Sequence, residues 1–146
     1  MVYTIEVEIQ VPREKVIELF DSSENIKKWQ PTLVSFEHIS GEPGQPGAKS
    51  KMVYKMGKGE TEMTETIVTR NFPDTFDATY ETKGVKNYLY NKFEEIDANT
   101  TKWSMTSDFR FAGLYKLMGW LMPGAFKKET RKSMEKFKEF AEKAVS

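Results

Sequence analysis

The chain reads as an α+β domain in which one curved antiparallel sheet of about seven strands, with two short helices after the first strand, is covered by one long C-terminal helix. Three observations predict it. Apolar and polar residues alternate with period two along most of the stretch from Tyr3 to Phe111, turn clusters punctuate that alternation, and only about Gly124 to Val145 has apolar residues at sustained helical spacing. There Phe126, Thr130, Met134, Phe137, Ala141 and Ala144 fall three or four apart, while Lys127, Lys128, Arg131, Lys132, Glu135, Lys136, Lys138, Glu139 and Lys143 take the other side. A helix with one wet face is a lid.

In order, Tyr3, Ile5, Val7, Ile9 and Val11 alternate with polar residues as a half-buried strand. Pro12 suits the first turn of a helix that runs to Phe20 on Val16, Ile17, Leu19 and Phe20. Asp21 or Ser22 can cap a second short helix, carried by Ile26 and Trp29 and ended by Pro31. Thr32 to Ile39 reads as a strand of open parity, since Val34 and Phe36 compete with Leu33 and Ile39 for the inside. Gly41 to Gly47 is a turn by composition, and Gly57-Lys58-Gly59 makes a hairpin.

The remaining strands have clear parity. Ala48, Ser50, Met52, Tyr54 and Met56 face one way, as do Met63, Glu65 and Ile67, then Phe76, Ala78, Tyr80 and Thr82. Val85, Asn87, Leu89, Asn91 and Phe93 follow, and Trp103, Met105, Ser107, Phe109 and Phe111 complete an antiparallel meander. Leu114, Leu117, Met118, Leu121 and Met122 form a short helical segment, with a hinge expected near Met122 to Gly124.

Composition narrows the function. At 146 residues, read as one domain over 1–146, the chain can bury about 70% of its unfolded surface and needs no staple. The absence of cysteine excludes disulfides and thiol catalysis, and with a single histidine it argues against structural zinc, so neither metal nor cofactor is expected. With 22 basic and 22 acidic residues the net charge is zero, which offers nucleic acid no global attraction. The strand pattern starts at once, so no signal peptide is expected and the cytoplasm is the expected location. Phe111 to Phe126 is greasy but too interrupted to span a bilayer.

The order of elements resembles the START-like, or helix-grip (SRPBCC), superfamily, which includes polyketide cyclase/dehydratase-like and plant-allergen-like lipid-binding proteins. Local features agree: Val11-Pro12-Arg13-Glu14-Lys15-Val16 after the first strand, Asp21 and Asn25 leading to Lys28-Trp29-Gln30-Pro31, Met63-Thr64-Glu65-Thr66-Ile67 in mid-sheet, and the apolar entry to the last helix. None of these motifs is catalytic. The resemblance implies an apolar cavity between helix and sheet. The 8 Met and 10 Phe are an independent hint, because flexible thioethers and flat rings suit a wall that accepts varied guests, although they fill a solid core equally well.

The residues expected to meet such a guest are Trp29, Met52, Tyr54, Met56, Met63, Glu65, Tyr80, Asn87, Leu89, Asn91, Trp103, Met105, Phe109, Leu117, Trp120, Leu121, Phe126, Thr130, Met134 and Phe137. Glu65 is the one candidate for acid-base work, since a carboxyl in this wall would be desolvated; the commoner fate of such a residue is solvent or a Lys or Arg partner. Asn87 and Asn91 need partners, either a ligand's polar group or the sheet itself. His38 lacks the spacing of a triad and reads as a surface or structural histidine. Trp120 with Leu117, Leu121 and Met122 reads as packing over the sheet end, as a pocket mouth, or as a homodimer or membrane-touching patch. Three functions stay open: binding of a hydrophobic small molecule, a cyclase- or dehydratase-like acid-base enzyme, and an interaction module using residues 114–122.

Overall fold

The computed structural model describes residues 1–117 and 123–146. Strand β1 (Val2–Ile9) alternates exposed and buried side chains without a break, with Ile5, Val7 and Ile9 turned inward. Two helices follow, α1 (Arg13–Phe20) and α2 (Ile26–Trp29). Six further strands come next: β2 (Leu33–Ser40), β3 (Lys49–Met56), β4 (Gly59–Asn71), β5 (Thr75–Thr82), β6 (Val85–Asp97) and β7 (Thr100–Phe111). Helix α3 (Pro123–Ala144) ends the chain, with Pro123 in its first turn, where a missing N–H costs nothing. The strands form one antiparallel sheet in the order β1-β7-β6-β5-β4-β3-β2. This is the helix-grip architecture. Among the described residues no helix is long and apolar enough to cross a membrane.

Residues directly opposite on neighbouring strands share a face, so the register traces rows across the sheet. One row runs Tyr3, Ser107, Leu89, Ala78, Ile67. The Tyr3 hydroxyl lies 2.6 Å from Thr130 Oγ1 and donates to the Phe126 carbonyl at 3.2 Å, so this is the face that α3 covers. The helix lies principally along β1 and α2. Tyr3→Phe should lower the unfolding free energy by about 1 kcal/mol, the net worth of a buried hydrogen bond. Denaturant titration reads this directly, and an unchanged midpoint would mean that the hydroxyl does not help to seat the helix.

Two readings of the sequence are corrected here. The parity of β2 has no single answer, because a bulge between Leu33 and Ser35 lets Leu33 oppose Tyr54 and Phe36 oppose Met52 on the same face. Val34 and Ile39 turn outward instead. Asp21 does not cap α2. Its two carboxylate oxygens accept from Arg70 at 2.8 and 2.5 Å, and α2 begins only at Ile26, after Asn25, whose amide donates to the Leu19 carbonyl.

Gly84, at φ +74°, turns the chain between β5 and β6, and a Cβ there would stand 2.1 Å from the Tyr115 ring. The ring therefore lies where only glycine leaves room. Beyond it Leu114 and Leu117 are 94% and 60% exposed. Met118, Trp120, Leu121 and Met122 lie outside the described residues, and of the hinge expected near Met122 to Gly124, Pro123 and Gly124 already belong to the first turn of α3.

Candidate functional site

The covered face divides into a closed aromatic end and a polar centre. At the closed end Trp103 packs among Phe20, Trp29, Phe93 and Phe137, with ring centroids 5.2 to 6.2 Å apart. Trp103, Phe93, Met134 and Phe137 have at most 1% of their surface exposed. Helix α1 supplies Phe20, and the cluster is a solid plug. Asn91 belongs to it, since its Oδ1 accepts from Trp103 Nε1 at 2.9 Å; of the two Asn readings, the structural one fits Asn91.

The polar centre is the row Ser50, Glu65, Tyr80, Asn87, Phe109, one step along from the Tyr3 row and on the same face. Met52 opposes Met63 in the next step, and Tyr54 stands two residues beyond Met52. Within this strip Ser50 and Glu65 are buried, while Tyr80, Asn87 and Phe109 are half-buried. Glu65 is 8% exposed and accepts from the Tyr80 hydroxyl at 2.7 Å. Contrary to the commoner expectation, no Lys or Arg pairs with it among the described residues. Lys49, Lys51 and Lys55 of β3 alternate with Ser50, Met52 and Tyr54 and so point the other way. Arg70 of β4 is held by Asp21.

Electrostatics follow from that isolation. Burial pushes the Glu65 carboxyl above the ordinary carboxylate range, against a smaller opposing effect of the Tyr80 hydrogen bond. Burial, and then the nearby Glu65 charge, raise both the Tyr80 and Tyr54 hydroxyls. Tyr54 donates to Gln30 Oε1 at 2.5 Å, which ties the end of α2 to β3. Three buried polar atoms have no partner among the described residues: Asn87 Oδ1, Ser107 Oγ and Trp29 Nε1. Ser107 lies diagonally across from Asn87, opposite Leu89. Such atoms are costly unless something hydrogen-bonds them.

The sequence-predicted residues are therefore distributed unevenly. Met52, Tyr54, Met63, Glu65, Tyr80, Asn87, Leu89 and Phe109 converge on the centre, and Met105 lies between the two zones, opposite Asn91. From α3, Phe126 reaches Phe109 with ring centroids 4.9 Å apart, and Thr130 is held by Tyr3. Met56 stands apart, 62% exposed beside the β3–β4 hairpin, and Leu117 is likewise exposed. The readings missed Ser107 and Gln30. Ser107 shares the parity of Met105 and Phe109, a signal that was visible, whereas the Gln30–Tyr54 bond has no sequence signature. An open groove of about 310 Å³ beside Gly84, Lys86, Arg110 and Phe111 lies at the β5–β6 hairpin end. No group of three metal-ligating side chains comes together among the described residues.

Known proteins share this fold. A family model described as polyketide cyclase/dehydrase and lipid transport matches residues 2–142. Among solved structures, the Zhui aromatase/cyclase from Streptomyces is similar at TM-score 0.83 and 12% identity, covering 100% of this chain and 96% of that one. TTHA0849 from Thermus thermophilus is similar at TM-score 0.80 and 15% identity, with 100% of both chains covered. Ara h 8.0201 is similar at TM-score 0.75 and 21% identity, covering 97% and 98%. At these identities the structures show a shared fold. A search of the curated proteins returned no match.

Proposed function

Because this chain belongs to the polyketide cyclase/dehydrase and lipid transport family, we propose that it binds a hydrophobic small molecule, such as a lipid, quinone, sterol or polyketide-like compound, between the sheet and α3. The observation that carries this reading is the polar strip. A buried carboxyl without a cation, beside unpartnered Asn87 and Ser107 oxygens, is unfavourable in a domain that needs only a filled core. It is useful in a site that must orient a guest. Met52, Met63, Leu89, Phe109 and Phe126 supply the apolar area, and Glu65, Tyr80 and Asn87 fix the guest's direction.

The second reading is an acid-base enzyme of the same family, in which Glu65 and Tyr80 move a proton beside an enolisable carbonyl. It is supported by the 2.7 Å Tyr80–Glu65 bond and the raised carboxyl, the arrangement that a general acid or base requires.

One experiment addresses both. Native mass spectrometry of the protein as purified should show an adduct of small-molecule mass that denaturing conditions remove. A bare chain that also fails to bind a hydrophobic dye at micromolar concentration would overturn the binding reading. Returning the extracted compound to fresh protein then separates the two: recovery unchanged marks a carrier, and conversion marks an enzyme.

A further inference from the structure

Resting on the ligand-binding reading above, the geometry points to a hydrophobic amine as the guest, its ammonium held by Glu65 with Asn87 beside it, and to exclusion of the matching carboxylate. What decides it is a count of charges and of the hydrogen-bonding groups beside them. Each tyrosine hydroxyl of the strip has already committed its proton, Tyr80 to Glu65 Oε2 and Tyr54 to Gln30 Oε1. What remains of each is lone pairs. Glu65 Oε1 has no partner among the described residues, and Asn87 Oδ1 is buried without one. Ser107 Oγ, 1% exposed, is able to accept as well. The unpartnered donor Trp29 Nε1 belongs to the closed aromatic end, its ring 5.2 Å from Phe137. The Asn87 amide and the Ser107 hydroxyl each donate as well as accept, so what singles the strip out is one potential negative charge, on Glu65, with no cation beside it among the described residues.

Among the described residues nothing neutralises that charge. The β3 lysines point away, Arg70 is paired with Asp21, and Lys86 is paired with Glu81 at 3.0 Å. The residues from Met118 to Met122 include no ionisable type. A carboxylate guest would meet a like charge with no cation nearby, while an alcohol satisfies one acceptor at most by its single proton. An ammonium brings up to three donors and the missing positive charge.

Calorimetric titration at pH 7 with 2-(2-naphthyl)ethylamine, the corresponding alcohol and 2-naphthylacetate tests this with the apolar body held constant. The amine should bind at least tenfold tighter than the carboxylate, with the alcohol between them. In Glu65→Gln the amine's advantage over the alcohol and the carboxylate should vanish. Equal binding of amine and carboxylate by the wild-type protein, which does not depend on any variant folding, would overturn the amine assignment and leave the binding reading standing. An advantage retained in Glu65→Gln would overturn the role of Glu65. Binding of none of the three would overturn this inference together with the reading it rests on.

Discussion

Phe137→Ala is expected to lower the unfolding free energy by about 3–5 kcal/mol, a large share of the 5–15 kcal/mol typical of a domain this size. The side chain has no exposed surface and sits between Trp29 and Trp103, each with its ring centroid 5.2 Å away, and against Phe20 at 6.0 Å. These neighbours come from α2, β7 and α1, so no single element can move in to fill the space. Removing the ring therefore loses its transfer free energy and leaves a cavity as well. It also loosens α3 at the point where the helix meets both short helices. Guanidinium titration followed by tryptophan fluorescence and circular dichroism measures the effect. A loss below about 1 kcal/mol would show that the aromatic end is loosely packed, against the geometry described.

The second large effect is one of pH. Glu65 should make the native protein progressively less stable as pH rises above the ordinary carboxylate range, and Glu65→Gln should remove that dependence. The sign follows from linkage. Below the ordinary glutamate pKa both folded and unfolded chains hold the proton, and Glu65 has no differential effect. Above it the unfolded chain releases a proton that the buried carboxyl retains, so unfolding becomes easier with each step in pH. The loss is complete once pH passes the raised native value, where the folded protein must hold a buried, uncompensated anion. The Gln variant, still able to accept from Tyr80, should therefore unfold at higher denaturant than wild type at pH 8, with the gap narrowing toward pH 4. Other carboxylates titrate alike in both proteins and cancel in the comparison. A difference that stays constant across that range would mean that Glu65 titrates normally.

The same two sites show how much of the molecule was legible beforehand. That Trp103, Phe93, Phe137 and Met134 face inward was readable from period alone, but not that Trp29, Trp103, Met134 and Phe137, expected to meet a guest, pack on one another. Nor was the division of labour within that face. Asn87 and Asn91 are the same residue type on the same side of one strand, yet Asn91 is satisfied by Trp103 and Asn87 Oδ1 is not. The difference lies in a diagonal neighbour on β7: Trp103, opposite Phe93, gives Asn91 an indole N–H, and no described group does the same for Asn87 Oδ1. In β2 the period failed for a local reason, since the bulge after Leu33 exchanges inside and outside within a single strand.

What the amino-acid sequence determined on its own is the order of elements, the inward set of nearly every strand and the helix that covers them, because alternation and 3.6-residue spacing are properties of neighbouring residues along the chain. Only the tertiary structure decided that Glu65 stands between Ser50 and Tyr80 without a cation, and that Asn87 and Ser107 are left with free oxygens beside it. Those outcomes depend on register between strands that hairpins and long-range pairing bring together, and hydrogen-bond satisfaction is settled across the sheet instead of along it.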